Sequence, residues 1–521
     1  MKVRVVGGLL VFLLAGSAVP QDEARPPSPA ALRTAAERGD AEAQYQLALA
    51  YLVRGGAAGE REAVRWLKAA ARQRHAAAQA RLGRIYAEGE AVRSDPRAAE
   101  ALLPESTRLL EDAAAQGQAD ALLGLARAHE AGRGVSRDPE EALQLLRAAA
   151  EKGQPEAAFR LSGLYRAGRQ VPRDEAESQR WLRLAAEKGF AEAQLALAVQ
   201  LAGSPGGAGD ETEAVRWFRA AAEQGLPVAQ YELGQAHAHG VGVPRDEEAA
   251  VSWYGSAAEK GHPAAMFNLG WMLANGFGSP RDDAAAVKWY RAAALLDDPN
   301  AQFNLGVMLS RGKGVPRDDA EAARWFRAAA RRGDATAQFA TGTLYAEGRG
   351  VEKDEREALR WYRAAADQGH AEALNNLGSM YERGRGVRSD LRAAARWYRK
   401  AADGGDSTGQ FNLGLLYESG RGLPKDEREA ARWLQTAADQ GLPEALVRLG
   451  GYHATGGGGL ARSATAAAES YYRAGLAYLQ RDRKDGTLRC VEALQALEKE
   501  GGLAPPHSAL DDQLLAALSA K

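Results

Sequence analysis

Residues 371–406, AEALNNLGSMYERGRGVRSDLRAAARWYRKAADGGD, hold one copy of the pattern that decides the fold. Ala373, Leu377, Gly378 and Tyr381 fall on one face at helical spacing, which predicts a helix from about Ala371 to Arg383. Gly384 and Gly386 end it, because glycine accepts the left-handed backbone that a helix C-terminus often requires. Asp390 then caps a second helix, with a buried stripe expected at Ala394, Trp397, Ala401 and Ala402. The Gly of the Leu-Gly pair lets a neighbouring helix approach, and Trp397 is expected to fill the space between adjacent pairs.

The pattern recurs along the chain. Trp181, Trp217, Trp253, Trp289, Trp325, Trp361, Trp397 and Trp433 stand 36 residues apart without a break. A second register holds Leu233-Gly234, Leu269-Gly270, Leu305-Gly306, Leu377-Gly378, Leu413-Gly414 and Leu449-Gly450. A period in the range of roughly 20 to 50 residues signals a stacked array and overrides the several domains that length alone suggests. One helical hairpin cannot bury both its faces, so each unit depends on its neighbours. Twelve units are counted within 41–475. The first carries Leu47 and Trp66; the second carries Leu82-Gly83 and Leu109, with extra residues around Val92 to Thr107. The last is degraded after Leu449-Gly450, with Tyr471 near the Trp position.

Helix ends are written locally. Asp354 with Glu357 and Asp426 with Glu429 resemble capping boxes with Asp in place of Ser or Thr. Asp95-Pro96 and Asp138-Pro139 put Pro at the first helical position. Gly369, Gly405 and Gly441 close second helices, and Pro227, Pro263, Pro299 and Pro443 open the next first helices. Residues 476–521 are expected to form a helical C-terminal cap, with helices at about Thr487 to Glu500 and Ser508 to Ser519.

The pattern Ala-x-x-x-Leu-Gly-x-x-Tyr-x-x-Gly-x-Gly-Val, then Asp-x-x-x-Ala-x-x-Trp-Tyr-x-x-Ala-Ala-x-x-Gly, resembles the Sel-one-like repeat, a relative of the tetratricopeptide repeat. The resemblance implies an all-α fold, a right-handed α/α solenoid of about twelve 36-residue helix-turn-helix repeats with a helical C-terminal cap. It also implies a non-enzymatic scaffold or adaptor. Bacterial members are often exported and linked to envelope assembly, signalling or host contact. Cysteine-rich relatives described as β-lactamase-like or penicillin-binding carry a Cys pair in each repeat. Here the single Cys490 lies outside the repeats, which counts against a β-lactamase-like envelope enzyme.

Composition narrows the chemistry further. With 67 basic and 68 acidic side chains the net charge is −1, which argues against general attraction to nucleic acid or anionic membranes. One cysteine excludes a disulfide framework and a multi-Cys metal cluster. Cys490 is expected to be a partly buried small apolar residue, with an intermolecular disulfide as the alternative. His237 and His239 are the only close histidine pair, and two residues apart on a helix they point about 200° from one another. His237 stands in for the motif Tyr, His239 is near the turn, and His262 and His370 are linker residues. Asp282-Asp283 and Asp318-Asp319 suit helix capping better than a catalytic dyad. No phosphate-binding loop or nucleophile elbow is present, so no catalytic, cofactor-binding or metal-ligating residue is assigned and no cofactor is expected.

The N-terminus points to export. Lys2 and Arg4, the apolar run Val5 to Leu14 and the small residues Ala15 to Ala18 are the parts of a signal peptide at 1–18. The run is shorter than the ~20 residues a spanning helix needs, and an uncleaved anchor is the alternative. Residues 19–40 are a spacer, with Pro26, Pro27 and Pro29, and the start of the first helix. A periplasmic or secreted protein without a membrane-integral segment is expected.

On the first helices, the side opposite the buried stripe collects positions two before, one before and two after the motif Leu. In the tetratricopeptide fold that side lines the concave groove. It carries Phe267, Asn268 and Trp271, then Phe303, Asn304 and Val307, Phe339 and Thr343, Asn375, Asn376 and Ser379, and Phe411, Asn412 and Leu415. Tyr231 and Gln235 precede them. Asn side chains can donate to and accept from an extended peptide, and aromatics can take its side chains. Trp271 stands out as the only Trp away from the repeated Trp position. The stripe therefore suits a protein or extended peptide, or alternatively a cell-wall glycan. In the structural alternative, Asn bonds neighbouring first helices and Phe packs between units.

Overall fold

Ala-rich segments punctuated by paired glycines fold as one helix after another. The structure is a computed structural model that describes residues 29–88, 100–203, 208–500, 503 and 507–519. The leader at 1–18, Pro26-Pro27 and the Asp95-Pro96 cap lie outside the described residues. Among the described residues there are twelve successive helix pairs and no strand. They fall into two compact units, ending at Leu226 and beginning at Pro227.

The first unit opens with helix Pro29–Glu37. Pro29, assigned from sequence to the spacer, is thus a first helical residue, a position where its missing N–H has no partner to lose. Five pairs follow, from Ala41–Arg54 with Gly56–Arg72 to Ala191–Ala202 with Ala208–Glu223. Leu67, Leu82, Leu110, Leu146 and Leu161 are enclosed completely along this run.

Seven pairs build the second unit, from Pro227–His239 with Glu247–Glu259 to Pro443–Thr455 with Ala464–Gln480. Helices Lys484–Lys499 and Leu510–Ser519 complete it. Cys490 is 1% exposed among Tyr478, Val491 and Leu494, more enclosed than the sequence suggests. Burial pushes its thiol up to about 11, so it is neither ionised nor presented for an intermolecular disulfide. No helix of the described residues is long and apolar enough to cross a membrane.

The unit at 371–406 shows how one pair is held. Its helices run Ala371–Arg383 and Leu391–Asp403, and Asp390 accepts a hydrogen bond from the Ala393 N–H at 2.9 Å. Trp397 packs, as expected, against the cluster of the preceding pair around Ala358, Tyr362 and Ala365, but it is not the ring that meets the motif glycine. Trp397 is only half-buried, whereas Tyr398 is 2% exposed and sits over the motif glycine. A Cβ on Gly378 would lie 2.7 Å from the Tyr398 ring. The same fit joins Gly234 to Tyr254, Gly270 to Tyr290, Gly306 to Phe326 and Gly342 to Tyr362. One residue turns a helix by about 100°, which takes the Trp away from that contact. The indole N–H of Trp325 donates to Glu321 at 3.1 Å. Cations cover the outer ring faces, as Arg432 does over Trp433 at 5.1 Å.

The two turn glycines do different jobs. Gly384 is the left-handed C-cap residue, with φ of 69°. Gly386 also has positive φ, and a side chain there would run into the Glu355 carbonyl of the preceding pair. Gly314, Gly350 and Gly422 make the equivalent approach, so this glycine is where consecutive pairs touch.

A buried glutamine provides a second link between pairs. Gln410 donates to the Ala402 carbonyl at the end of the preceding helix and accepts from Gln440 at 2.8 Å. Gln338 does the same with Ala330 and Gln368, and Gln194 with Ala186 and Gln224. The capping boxes are only half formed. Asp354 accepts from the Arg356 and Glu357 N–H groups, but its own N–H donates to Tyr345 O and Glu357 pairs with Arg360.

Candidate functional site

The acidic pairs are committed to structure. Asp282 accepts from the Ala285 N–H at 2.9 Å and Asp318 from the Glu321 N–H at 2.7 Å. Asp283 is held below the usual carboxylate range by its hydrogen bonds from Arg281, and Asp319 by those from Arg317 and Arg349. Histidines are similarly occupied. His237 is buried, while His239 faces out and bonds Gln235 at 3.2 Å. His262 caps its helix by accepting from the Ala265 N–H, stacks on Tyr231 at 4.6 Å, and has its pKa lowered by burial. His370 stacks on Phe339 at 4.7 Å. Among the described residues no three His, Cys, Asp or Glu are grouped to hold a metal ion.

The predicted stripe divides into two kinds of residue. Phe267, Phe303 and Phe339 are half-buried, each against the ring of its own second helix: Tyr290 at 5.9 Å, Phe326 at 5.5 Å and Tyr362 at 5.7 Å. Phe411 packs against the cluster holding Leu434 and Tyr452. Asn412 donates to Asn375 across neighbouring pairs at 2.8 Å. Asn268 is within hydrogen-bonding reach of Tyr231 and Tyr254, and Asn376 of Tyr362. Asn304 is half-buried. These side chains are largely spent on holding first helices to their surroundings.

Trp271 is different. It is 47% exposed, and its ring centre lies 5.1 Å from that of Phe277. The two flank a cleft of about 460 Å³ whose other walls include Tyr231, Gln235, His239 and Asn268. Gln235 donates to the Tyr231 hydroxyl at 2.7 Å and accepts from Tyr254 at 2.9 Å, which fixes the polar wall. Arg245 and Glu247 pair at the rim, so the cleft carries little net charge.

Sequence reasoning missed Phe277, although a signal was available. It is the middle residue of a Gly-x-Gly turn, where the following pairs carry Lys313, Arg349, Arg385 and Arg421. Arg349 and Arg421 reach carboxylates of neighbouring pairs, Asp319 and Glu382. Phe277 and the preceding Val241, both exposed, put apolar surface in that register instead.

The Sel1 repeat family model matches eleven times, at 41–75, 76–103, 119–154 and then in an unbroken series from 155–190 to 407–442. The chain belongs to the Sel1 repeat family. Its twelfth helix pair lies beyond the last matched Sel1 repeat, yet Gly450 still seats Tyr471 as the motif glycines seat their rings. Among solved structures, this Sel1 repeat protein is similar to c5321, described as a protective antigen present in uropathogenic Escherichia coli strains and displaying an SLR fold. Identity is 32%, over 78% of this chain and 93% of that one, with a TM-score of 0.55. A Sel1 repeat protein from Oxalobacter formigenes is 36% identical over 58% of this chain and 88% of its own, with a TM-score of 0.48. No curated protein matches the chain. Sel1 repeats commonly serve as protein-interaction modules, and the helical array is of a typically non-catalytic scaffold type.

Proposed function

We propose that this Sel1 repeat protein is an exported, non-enzymatic scaffold that binds a partner protein through an extended segment lying on its first helices. An apolar side chain of that segment enters the cleft between Trp271 and Phe277. The observation that carries this reading is the pair of exposed aromatic rings at a neutral, amide-walled cleft, in an array whose other repeated aromatics are buried or covered. An aromatic side chain buries roughly 150–250 Å² when enclosed, so covering the open half of Trp271 is worth about 2–3 kcal/mol. That is anchor-sized. Export rests on the leader at 1–18, and N-terminal sequencing of the protein from cell fractions should find a mature chain beginning near Ala18.

The test is an affinity pull-down from envelope extract with three matched baits: wild type, Trp271→Ala/Phe277→Ala, and Leu295→Ala/Leu296→Ala. The last pair is also apolar and exposed, at 70% and 51%, but does not line the cleft. A protein retained by the first and third baits and lost by the second supports the proposal. A partner retained by all three places binding elsewhere. If none retains protein while purified peptidoglycan sediments the wild type, the ligand is a cell-wall glycan.

A further inference from the structure

The near-zero net charge conceals one strongly uneven helix. Helix Leu391–Asp403 holds four cations, Arg392, Arg396, Arg399 and Lys400, against one carboxylate, Asp403. The flanking second helices balance: Glu355–Asp367 has three of each sign, and Glu427–Asp439 has two cations and three carboxylates. The difference comes from particular positions. Where the neighbours carry Glu355 and Glu427 this helix has Leu391, and where they carry Glu357 and Glu429 it has Ala393.

Those glutamates hold part of the neighbouring positive charge. Arg360 pairs with Glu357 at 2.9 Å, Arg432 with Glu429 at 3.5 Å, and Lys425 with Glu427 at 2.8 Å. Arg392 and Arg396, both exposed, have no ion-pair partner among the described residues. Lys400, also exposed, lies 4.5 Å from the centre of the Trp397 ring, and Arg399 is taken by the Tyr417 hydroxyl. Each flanking helix keeps an exposed arginine outside the ion pairs, Arg356 or Arg428, but neither helix has net positive charge, so the excess is concentrated on the line Arg392, Arg396 and Lys400.

We propose that this line is a docking site for an extended acidic segment of a partner protein, with carboxylates at alternate residues. The spacing carries the choice. Residues four apart on a helix are separated by about 6 Å along the axis. Alternate residues of an extended chain are separated by about 6.7 Å and point the same way. Three carboxylates at alternate positions thus meet Arg392, Arg396 and Lys400 in turn, and each guanidinium can take its carboxylate through two N–H groups. A bilayer presents charge over a plane, which flanking helices without net positive charge do not match. Single-stranded nucleic acid needs exposed rings for base stacking, and the ring on this face, Trp397, is half-buried with Lys400 against it.

Binding of a fluorescein-labelled synthetic peptide of alternating Glu and Thr to the full chain, followed by anisotropy, tests this site independently of the aromatic cleft. A comparison peptide has the same composition with its glutamates grouped. The alternating peptide should bind more tightly than the grouped one, and raised salt should weaken it, because the pairs are exposed and screened. Arg392→Gln/Arg396→Gln/Lys400→Gln should weaken it roughly tenfold, consistent with three exposed pairs. Arg360→Gln/Arg432→Gln, which removes cations that already have partners, should leave it unchanged. Circular dichroism of both variants checks that helicity is retained. Equal affinity for the two peptides, insensitivity to the triple substitution, or no binding of either peptide overturns the proposal. So does binding through these residues to phosphatidylserine-containing vesicles or oligo-dT in the absence of peptide binding.

Discussion

Gly378 and Gly255 both lie inside helices, yet replacement by alanine is expected to move stability in opposite directions. A Cβ at Gly378 meets the enclosed Tyr398 ring at 2.7 Å, and the resulting overpacking should cost about 1–3 kcal/mol. At Gly255 nothing lies within 4 Å, so alanine should add up to about 1 kcal/mol of helix propensity. Urea midpoints of the two variants check the sign of each. His262 should make stability pH-dependent. Burial lowers its folded pKa below 6.5, so the unfolded chain binds more protons and stability falls as pH drops from about 6.5 towards the folded value. Protonation also ends Nδ1's acceptance of the Ala265 N–H. His262→Asn should keep a cap while flattening that part of a melting-temperature profile. At this scale the sequence identified the ring that packs between pairs but not the one that fills the glycine pocket. Trp397 draws the eye because Trp is rare, but helical geometry gives the buried place to Tyr398.

Helix ends were almost fully legible, because caps and C-terminal glycines are local chemistry: the pair at 371–406 begins and ends as its residues indicate. Links between pairs were not. The second turn glycine looks like another helix stop, and only the folded array shows it against the second helix of the preceding pair. Gly350→Ala should therefore cost about 3 kcal/mol or more, combining a positive φ of 67° with a collision at Asp319. The first unit offers the converse. Gln170 occupies the second-glycine position at φ 63°, and Gln170→Gly should stabilise by about 1 kcal/mol through relief of the left-handed penalty. The glutamine link was hidden for a similar reason: a polar side chain beside the apolar stripe looks like surface. Gln410→Ala should cost about 1–3 kcal/mol by stripping partners from the Ala402 carbonyl and Gln440. Thermal or urea unfolding of these variants gives each value.

Across the whole chain, periodicity made the architecture plain, and breaks in periodicity mark where function is proposed. Trp271 was visible as the one Trp out of register, whereas Phe277 needed its turn position compared between pairs. The rest of the aromatic-and-amide stripe shared the sequence character of a groove, yet packing commits most of it to neighbours. The charge line on Leu391–Asp403 was masked by a net charge of −1. A total says nothing of where charges lose their partners. The most direct test of the account is the dissociation constant of a display-selected peptide ligand for the full chain and for Trp271→Ala/Phe277→Ala. A two-ring anchor predicts a loss between about tenfold and a hundredfold in the variant, with helicity unchanged. Equal affinity for the two proteins would contradict binding at the Trp271–Phe277 cleft.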